Sequence, residues 1–316
     1  MKTSLIVGAN GQDGKLLTEL LLRRGHRIVG ISRSQTWSVP PENWEAVDIL
    51  RPESVSALLQ RLQPDECYYL PAFYGSAEDT SLTPGNMLYF EHSYAVHVRG
   101  LIVFLHAIAI SSSQTRLFYA ASSHVFGTPW TQPQDESTPF RPESIYGITK
   151  ATGIYTCRYY RRELDIFAST GILFNHESYL RPAKYVSSKI VYGVRAFQKD
   201  RSQRFELGDL NAVVDWGFAG DFVEAMTRIL AHDTAEDFVV ATGEAHTVGE
   251  FLQITCEIAG VDWRECVSVN PSLLKNKTSN LVGNSEKLRL LTGWQPTVTF
   301  REMIEKLWLH ARDNQR

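Results

Sequence analysis

The chain has 316 residues, of which 43% are hydrophobic and 21% are charged, and its formal net charge is −3. These values are ordinary for a globular protein, and the even mixture of 32 basic and 35 acidic residues excludes a nucleic-acid-binding protein recognised by overall positive charge. We expect a reduced, cytoplasmic protein without a membrane span or a metal site, because no run approaches about 20 apolar residues and the cysteines show no metal-ligand spacing.

Predicted strands and helices alternate through the first half of the chain. The apolar run 4–7 predicts a buried strand, and leucines at helical spacing between 16 and 21 predict a helix that ends near Gly25. Further strands are predicted at 27–31, 66–70 and 116–121, with helices at 52–62 and 93–109. Such alternation is typical of βαβ units, so it predicts an α/β protein with a mostly parallel sheet.

The pattern becomes less regular after about residue 174. The last predicted helix is amphipathic, and its apolar stripe contains Ile304, Leu307, Trp308 and Ala311. We predict two interleaved units. The first is a nucleotide-binding domain over 1–174 with a later return at about 210–242, and the second is a smaller lobe mainly over 175–316.

Three glycines mark the junction between the first predicted strand and the first predicted helix. Gly8, Gly11 and Gly14 form a G-x-x-G-x-x-G turn that also contains Gln12 and Asp13. Glycine is required where a chain turns tightly and where a pyrophosphate approaches the backbone, and the following helix N-terminus favours phosphate. The turn therefore predicts a dinucleotide site formed by these five residues; the alternative is a simple tight turn.

The end of the second strand indicates which dinucleotide binds. An acidic residue there would hydrogen-bond the ribose 2′-hydroxyl of NAD, whereas this chain has the string Ser32-Arg33-Ser34. Arg33 can pair with a 2′-phosphate, so the sequence favours NADP(H) over NAD(H); the alternative is an exposed arginine after a strand. Asp48 and Ile49 follow a third short strand, where we expect a contact with the adenine.

A possible catalytic set lies in the middle of the chain. Tyr146 and Lys150 are four residues apart at the start of a predicted helix, so they share one face. A neighbouring ammonium and a positive nicotinamide ring would stabilise the phenolate, which makes Tyr146 usable as a base towards a sugar hydroxyl. Ser122 follows a predicted strand, where its hydroxyl could bridge Tyr146 and the substrate oxygen. The spacing YxxxK also occurs by chance in many helices.

The order of glycine turn, strand-end serine, Tyr146 and Lys150 resembles the extended short-chain dehydrogenase/reductase superfamily. Within it, longer strings resemble the GDP-mannose 4,6-dehydratase family. These strings are Gly11-Gln12-Asp13-Gly14, DESTPF at 135–140, GILFNHES at 171–178, Asp215-Trp216-Gly217, Ala241-Thr242-Gly243 and Gly293-Trp294-Gln295-Pro296. The resemblance covers nearly the whole chain. It implies a Rossmann-type doubly wound sheet with bound NADP and a smaller α/β lobe for a GDP-sugar.

The resemblance also implies a reaction and the residues that perform it. The family oxidises the 4-hydroxyl of the sugar by hydride transfer to NADP, removes water across C5–C6 and returns the hydride to C6. Ser122, Tyr146 and Lys150 then take the oxidation roles, and Leu70 lies beside the nicotinamide, where a more polar string is usual. The positions that match the sugar-nucleotide site are Ser123, Asn175, Arg181 and Lys189.

Several positions depart from the family pattern. His124 occupies the place of the glutamate that handles the C5 proton and the 6-hydroxyl. It could perform the same elimination, protonate a carbanion for epimerisation, only hydrogen-bond the sugar, or have a purely structural partner. Val214 replaces an arginine near the diphosphate or ribose, Lys275 stands in a loop that normally carries another arginine, and His97 replaces Asn or Asp. The connection after the second strand is short, so we expect a homodimer at least as readily as a homotetramer.

Three hypotheses follow for the function. The leading one is an NADP-dependent lyase that resembles GDP-mannose 4,6-dehydratase. Since His124 replaces the glutamate, the alternative is a GDP-4-keto-sugar reductase or an epimerase that uses the same Ser–Tyr–Lys set. The third is a catalytically silent protein that binds NADP(H), and the intact Tyr146 and Lys150 argue against it.

Overall fold

A seven-stranded parallel sheet organises the larger part of the fold in this computed structural model, which describes residues 1–32, 43–74, 87–273 and 280–313. In spatial order its strands are β3 (Trp44–Glu45), β2 (Arg27–Ile31), β1 (Thr3–Val7), β4 (Glu66–Tyr69), β5 (Arg116–Ala120), β6 (Ala168–Leu173) and β11 (Asp237–Val240). The order reverses between β1 and β4, which opens a crevice at their carboxyl ends. The predicted doubly wound parallel sheet is confirmed.

Helices flank this sheet and form most of the remaining structure. They are α1 (Gln12–Arg23), α2 (Pro52–Leu62), α3 (Met87–Tyr94), α4 (Gly100–Ser111), α5 (Ile145–Leu164), α6 (Val186–Lys199), α7 (Ala219–Ala231), α8 (Val248–Ala259), α9 (Trp263–Cys266), α10 (Glu286–Thr292) and α11 (Phe300–Asp313). Leu5, Ile6 and Val7 are fully buried, because a parallel sheet with helices on both faces requires apolar side chains in both directions.

The segment from Met87 to Ser111 is one continuous helical run, in which a π-helical turn (Ala95–Arg99) joins α3 to α4. By length and composition alone, these 25 residues could cross a bilayer, a property that a search for continuous apolar runs in the sequence does not find because polar residues are scattered among the apolar ones. Half of its most apolar stretch is buried in the protein, and α4 packs against α2 and α5. Such burial is the property of a core helix.

A second hydrophobic core lies beside the sheet, where α6, α8 and α11 pack together. The ring of Trp216 lies at its centre, with centroid distances of 5.3 Å to Phe251 and 5.8 Å to Phe300. The stripe predicted on the last helix is confirmed, since its four apolar residues are buried here. Three strand pairs complete this region: β7 (Asn175–Glu177) with β10 (Trp216–Phe218), β9 (Val213–Val214) with β12 (His246–Thr247), and β8 (Phe205–Leu207) with β13 (Val267–Val269).

Asp215 joins this second core to the sheet. Its buried carboxylate accepts hydrogen bonds from the backbone N–H groups of Thr242 (3.0 Å), Gly243 (3.0 Å) and Gly283 (3.1 Å), and from the Thr242 hydroxyl (2.6 Å). A buried carboxylate requires such donors to offset its desolvation. The string Asp215-Trp216-Gly217 is therefore structural in this chain: it fastens the start of β10 to the loop that follows β11.

The glycine turn is joined to β7 by side chains that are far apart in sequence. His176 Nε2 lies 3.1 Å from both carboxylate oxygens of Asp13, and His176 Nδ1 lies 2.7 Å from the Phe174 carbonyl oxygen. Ser178 donates to the Gln12 side chain at 2.8 Å, and that side chain donates to the His176 carbonyl at 3.1 Å. Both ring nitrogens of His176 face acceptors, so the geometry requires the imidazolium form.

Asp13 and His176 shift each other's pKa in opposite directions. Burial alone would lower the pKa of His176, but the attraction of Asp13 outweighs it, and the pKa is raised above the ordinary value of about 6.5. Burial alone would raise the pKa of Asp13, but the attraction of His176 outweighs it, and the pKa is lowered. The pair therefore stabilises the folded chain in the pH range where both groups are charged.

We expect the pair to make stability depend on pH. The contribution of His176 is complete below about pH 6.5 and is lost as the pH rises through its raised folded pKa; that of Asp13 is lost as the pH falls through its lowered one. Urea unfolding of the wild type and of His176→Gln should therefore show a larger difference in the free energy of unfolding at pH 6 than at pH 9. The exposed His106, changed to Gln, is the control, and an equal difference at both pH values would contradict the assignment.

Candidate active site

The glycine turn lies at the switch point of the sheet, beside the end of β4. Gly8 has a φ of 87°, which side-chain-bearing residues rarely adopt, and a Cβ there would lie 3.2 Å from Pro71 N. A Cβ on Gly14 would lie 2.5 Å from the Gly8 oxygen and 2.7 Å from Ala9 Cα, so no larger residue fits. Glycine at both places therefore keeps the first turn of α1 against the end of β1.

The start of α1 suits a phosphate group. Gly11 is the N-cap, and it has no side chain to satisfy the free N–H groups of the first turn. The side chains of Gln12 and Asp13 bond to β7 and its neighbours, which leaves their backbone N–H groups for an anion. This donor set and the bare glycine surface fit the pyrophosphate of a dinucleotide.

The two residues predicted to contact the adenine lie between β3 and α2. Asp48 is exposed, and its carboxylate accepts a hydrogen bond from the backbone N–H of Leu50 at 3.0 Å. Ile49 lies against α4, since a Cβ on Gly100 would be 3.2 Å from Ile49 Cδ1. These contacts give both side chains a local structural role, and the adenine contact stays a prediction.

Leu70 directly follows β4, at the crevice between β1 and β4, and its contact with the nicotinamide stays a prediction. Its N–H donates to the Val7 carbonyl at 3.1 Å, and its carbonyl carbon would be 3.4 Å from a Cβ on Gly8. The residue is partly buried at the end of β4. Arg33 and Lys275, predicted to meet the 2′-phosphate and the sugar nucleotide, lie outside the described residues.

Ser122 and Tyr146 meet beyond the carboxyl end of β5. Ser122 is buried, its Oγ accepts the His124 N–H at 3.3 Å, and its hydroxyl is near enough to the Tyr146 phenol to oppose the rise in the pKa of that group. α5 begins beside it because Ser144 accepts the Gly147 N–H at 3.1 Å as an N-cap. Tyr146 therefore lies in the first turn of α5, facing Ser122.

Lys150 is buried one turn further along α5, with 1% of its surface exposed. Its ammonium donates to the Ala120 carbonyl at 2.7 Å and to the Pro71 carbonyl at 3.4 Å, which lie at the ends of β5 and β4. Burial lowers the pKa of Lys150 to about 7. The ammonium lies 5.7 Å from the Tyr146 ring centroid, and burial followed by the neighbouring Tyr74 raises the pKa of Tyr146. Lys150 by itself thus does not produce a phenolate.

His124 stands beside Tyr146 in a short 3₁₀ helix (Ser123–Phe126). The two ring centroids are 5.6 Å apart and the ring planes are perpendicular, at 89°. Burial lowers the pKa of His124 to about 4, so the imidazole is neutral at neutral pH. A neutral imidazole in this place can accept one proton and later donate it, as acid–base chemistry on a bound sugar requires.

Of the predicted sugar-nucleotide residues, Arg181 has the clearest setting. Its Nε lies 3.3 Å from a Glu177 carboxylate oxygen, and its guanidinium lies 4.0 Å from the centroid of the Tyr185 ring. Ser123 is buried next to Ser122.

Asn175 and Lys189 lie on two elements beside the second core. Asn175 begins β7 and pairs in register with Trp216. Lys189 is partly exposed in the first turn of α6. For these residues, as for Ser123 and Arg181, the sugar contact stays a prediction.

His97, which the sequence shows only as a departure from the family, lies fully buried behind Tyr146. Its Nε2 accepts the Phe73 N–H at 2.9 Å, so Nδ1 carries the proton and donates to Thr149 Oγ1 at 2.8 Å. Burial, followed by the charge of Lys150, lowers the pKa of His97 to about 2, in agreement with this neutral form. His97 therefore links the segment after β4 to the catalytic helix without carrying charge.

Sequence reasoning missed three residues around the site: Tyr74, Tyr185 and His176. The Tyr74 ring contacts that of Tyr146, with a centroid distance of 4.7 Å, and stacks on Tyr185 at 6.0 Å. His176 lies within a string that the resemblance included, but its partner Asp13 is 163 positions away. Tyr74 and Tyr185 belong to no motif, so only the folded chain shows their place.

Comparison with known proteins gives the family. The protein-family model described as GDP-mannose 4,6 dehydratase matches residues 5–307 of this chain. The chain is 34% identical to GDP-mannose 4,6 dehydratase 2 of Arabidopsis thaliana over 331 residues, which cover 97% of this chain and 86% of that protein.

Two solved structures share the fold over the whole chain. The UDP-glucose 4-epimerase of Thermus thermophilus in complex with NAD has a TM-score of 0.83 and 23% identity, covering 98% of this chain and 99% of the other. RMD from Pseudomonas aeruginosa in complex with NADPH has a TM-score of 0.82 and 19% identity, covering 99% and 100%. Since the family model matches nearly the full length and Ser122, Tyr146 and Lys150 lie together at the sheet, the chain belongs to the GDP-mannose 4,6-dehydratase family of extended short-chain dehydrogenases/reductases.

Proposed function

We propose that the protein is an NADP-dependent GDP-mannose 4,6-dehydratase, which oxidises C4 of a GDP-hexose and then removes water across C5–C6. The observation that carries the proposal is the cluster of Ser122, His124, Tyr146 and Lys150 at the carboxyl ends of β4 and β5, beside the glycine cradle. This set supplies a group for each proton transfer that such a reaction needs. The name of the Arabidopsis relative supports the choice of GDP-mannose.

The crevice between β1 and β4 would hold the dinucleotide. When bound, the oxidised nicotinamide supplies the hydride acceptor and a positive charge beside the phenol. Gly8, Gly11 and Gly14 leave the backbone bare for the pyrophosphate, and Leu70 forms a wall of the crevice. Arg33, after β2, is the cation that favours NADP, and the two similar structures bind NAD in one case and NADPH in the other.

Tyr146, as a phenolate favoured by the positive charges of the nicotinamide and of Lys150, would receive the proton of the sugar 4-hydroxyl. The Ser122 hydroxyl is near enough to the phenol to oppose the rise in its pKa, so it can contact the same sugar oxygen. The Lys150 ammonium lies between the ends of β4 and β5 and near the Tyr146 ring, where its positive charge favours the developing phenolate. Its lowered pKa of about 7 allows it to pass a proton on at neutral pH.

His124 would perform the elimination. Once C4 is a ketone, the C5–H bond is acidic, and the neutral imidazole would take that proton while the electron pair is held as the enolate of the C4 ketone. The imidazolium would then give its proton to the 6-hydroxyl, so that water leaves as the C5–C6 double bond forms. Return of the hydride to C6 and of a proton to C5 would give the 6-deoxy-4-keto sugar. A glutamate has a pKa of about 4.3, close to the value of about 4 for His124, so both are in the basic form at neutral pH.

We further propose that two copies pair through an apolar face formed by α3, α4 and α5. Ile148, Tyr155 and Tyr159 are exposed and lie on one stripe of α5, and Leu88 and Ile102 are exposed on the adjoining run. α3 and α5 pack side by side, so the stripes form one surface that a second copy can cover by two-fold symmetry. Sedimentation at the mass of one chain would refute this homodimer.

A reducing compartment such as the cytoplasm is part of the proposal. The four cysteines are free and buried, and Cys256 Sγ lies 3.7 Å from Cys266 Sγ without a bond. Half of the most apolar stretch of the run Met87–Ser111 is buried in the protein, and its exposed Leu88 and Ile102 belong to the proposed pairing face. We therefore propose a protein that acts on a nucleotide sugar, without a membrane or a nucleic acid as partner.

The first prediction concerns the reaction itself. Purified protein with NADP and GDP-mannose should form a 6-deoxy-4-keto product, detected by mass spectrometry as the loss of one water. Tyr146→Phe should lower kcat by about 10²–10⁴-fold, because the proton acceptor is lost. Tyr192→Phe, which changes an exposed tyrosine of α6 outside the catalytic cluster and the pairing face, is the control. A wild-type protein that only consumes NADPH with a 4-keto-sugar is instead a reductase, and one that only inverts a carbon is an epimerase.

The second prediction concerns His124. His124→Asn should lower the rate of water loss by about 10²–10⁴-fold while GDP-mannose still reduces the bound NADP, since oxidation does not need this residue. His124→Glu should stay within about tenfold of the wild type at pH 7. In the wild type, elimination needs the neutral ring, so its rate falls as the pH falls through about 4, with no loss near 6.5. Full elimination by His124→Asn would contradict this role.

The third prediction concerns the choice of dinucleotide. Arg33→Ala removes the cation for the 2′-phosphate, so its Kd for NADP should rise about tenfold or more while its Kd for NAD stays the same. Fluorescence titration with each dinucleotide measures both constants. Arg27→Ala, which removes an exposed arginine at the far end of β2, is the matched control. An unchanged ratio of the two constants would refute the assignment.

A further inference from the structure

Tyr74 forms the third side of a triangle with the two acid–base residues. Its ring centroid lies 4.7 Å from that of Tyr146 and 5.6 Å from that of His124, and it meets both rings nearly edge to face, at 68° and 73°. The Tyr146 and His124 centroids are themselves 5.6 Å apart. A group that contacts Tyr146 and His124 from the side on which Tyr74 lies is therefore also within reach of the Tyr74 ring.

The Tyr74 ring also stacks on that of Tyr185, the N-cap of α6. The two rings are nearly parallel, at 10°, with centroids 6.0 Å apart, which is within the range of stacked aromatic pairs. The Arg181 guanidinium lies over the Tyr185 ring, 4.0 Å from its centroid, and Lys184 Nζ donates to the Tyr74 carbonyl at 3.4 Å. We call the pair Tyr74 and Tyr185 the aromatic wall; it joins the segment after β4 to the start of α6.

The backbone before the wall is held as well. His97 Nε2 accepts the N–H of Phe73, the residue that precedes Tyr74, and the same imidazole bonds to Thr149 on the catalytic helix. The position of Tyr74 is thus tied to α5, which carries Tyr146. Burial, followed by the neighbouring Tyr185, raises the pKa of Tyr74 to about 12, so the ring stays neutral at neutral pH. A neutral, fixed ring is suited to apolar contact.

We propose that Tyr74, backed by Tyr185, is the hexose-binding surface of this site, packing its ring against the apolar C–H face of the sugar. The inference rests on the proposed function, in which Tyr146 acts on the 4-hydroxyl and His124 on C5 and C6. C4 and C5 are bonded neighbours, so a sugar placed between the two residues exposes one face to the third side of the triangle. An aromatic ring there excludes water from the sugar and orients it with little loss of side-chain entropy. Tyr74 then sets affinity for the hexose and has no part in binding the nucleotide.

The test compares ligands with and without the hexose. Calorimetric titration should show that Tyr74→Ala raises the Kd for GDP-mannose by about tenfold or more. The Kd values for GDP and NADPH should stay within about twofold of those of the wild type. Tyr74→Phe keeps the ring and should bind all three ligands as the wild type does. Tyr192→Ala, which truncates a partly exposed tyrosine of α6 outside the triangle, should change none of them. Unchanged NADPH affinity also shows that each variant is folded.

The results that would contradict the inference differ from the result that would contradict the proposed function. Tyr74→Ala that binds GDP-mannose like the wild type refutes the inference alone, as does an equal loss for GDP and GDP-mannose, which would mean that Tyr74 shapes the site in general. A loss in Tyr74→Phe as large as in Tyr74→Ala would assign the effect to the hydroxyl and refute the packing role. Wild-type protein that binds GDP-mannose no better than GDP would overturn the proposed function, and this inference with it.

Discussion

The buried ion pair between Asp13 and His176 is the contact on which the arrangement of the site depends. It connects the first turn of α1, which follows the glycine cradle, to β7, which leads out of the sheet towards the second core. Each charge alone would be costly to bury, and each makes the burial of the other acceptable. With Gln12 and Ser178 beside it, the pair fixes how the phosphate-binding turn faces the lobe that would carry the sugar nucleotide.

Burial then sets the chemistry around that contact. Burial is the leading cause of the pKa shifts of Lys150, His124 and Tyr146, which lie close together between the sheet and the aromatic wall. The same desolvation lowers the pKa of the two bases and raises that of the phenol, because it disfavours every charged form. A histidine in the place of a carboxylate consequently becomes a neutral base, and the departure from the family pattern is compatible with the family reaction.

Sequence reasoning reached the sheet and the glycine cradle because their causes are local. A short apolar run followed by spaced glycines is read from a few neighbouring residues, and the first four long strands were predicted close to their observed bounds. The spacing YxxxK occurs by chance in many helices, so it indicated a catalytic site only together with the glycine turn and the strand-end serine. The structure does bring Ser122 and Tyr146 together. The same reasoning did not find the full length of the helical run Met87–Ser111, along which polar residues are scattered, and it could not show that the Lys150 ammonium bonds to strand-end carbonyls.

The sequence by itself determined the near-neutral surface, the α/β class, the glycine turn and the family, since each is encoded by composition or by residues close together in the chain. Only the tertiary structure decided that Asp13 pairs with His176, that Asp215 is a structural carboxylate, that His97 is a neutral link and that Tyr74 faces the catalytic pair. Those roles depend on side chains that parallel strands and their crossovers bring together from distant positions. Their pKa values depend on burial, which no local pattern of residues specifies.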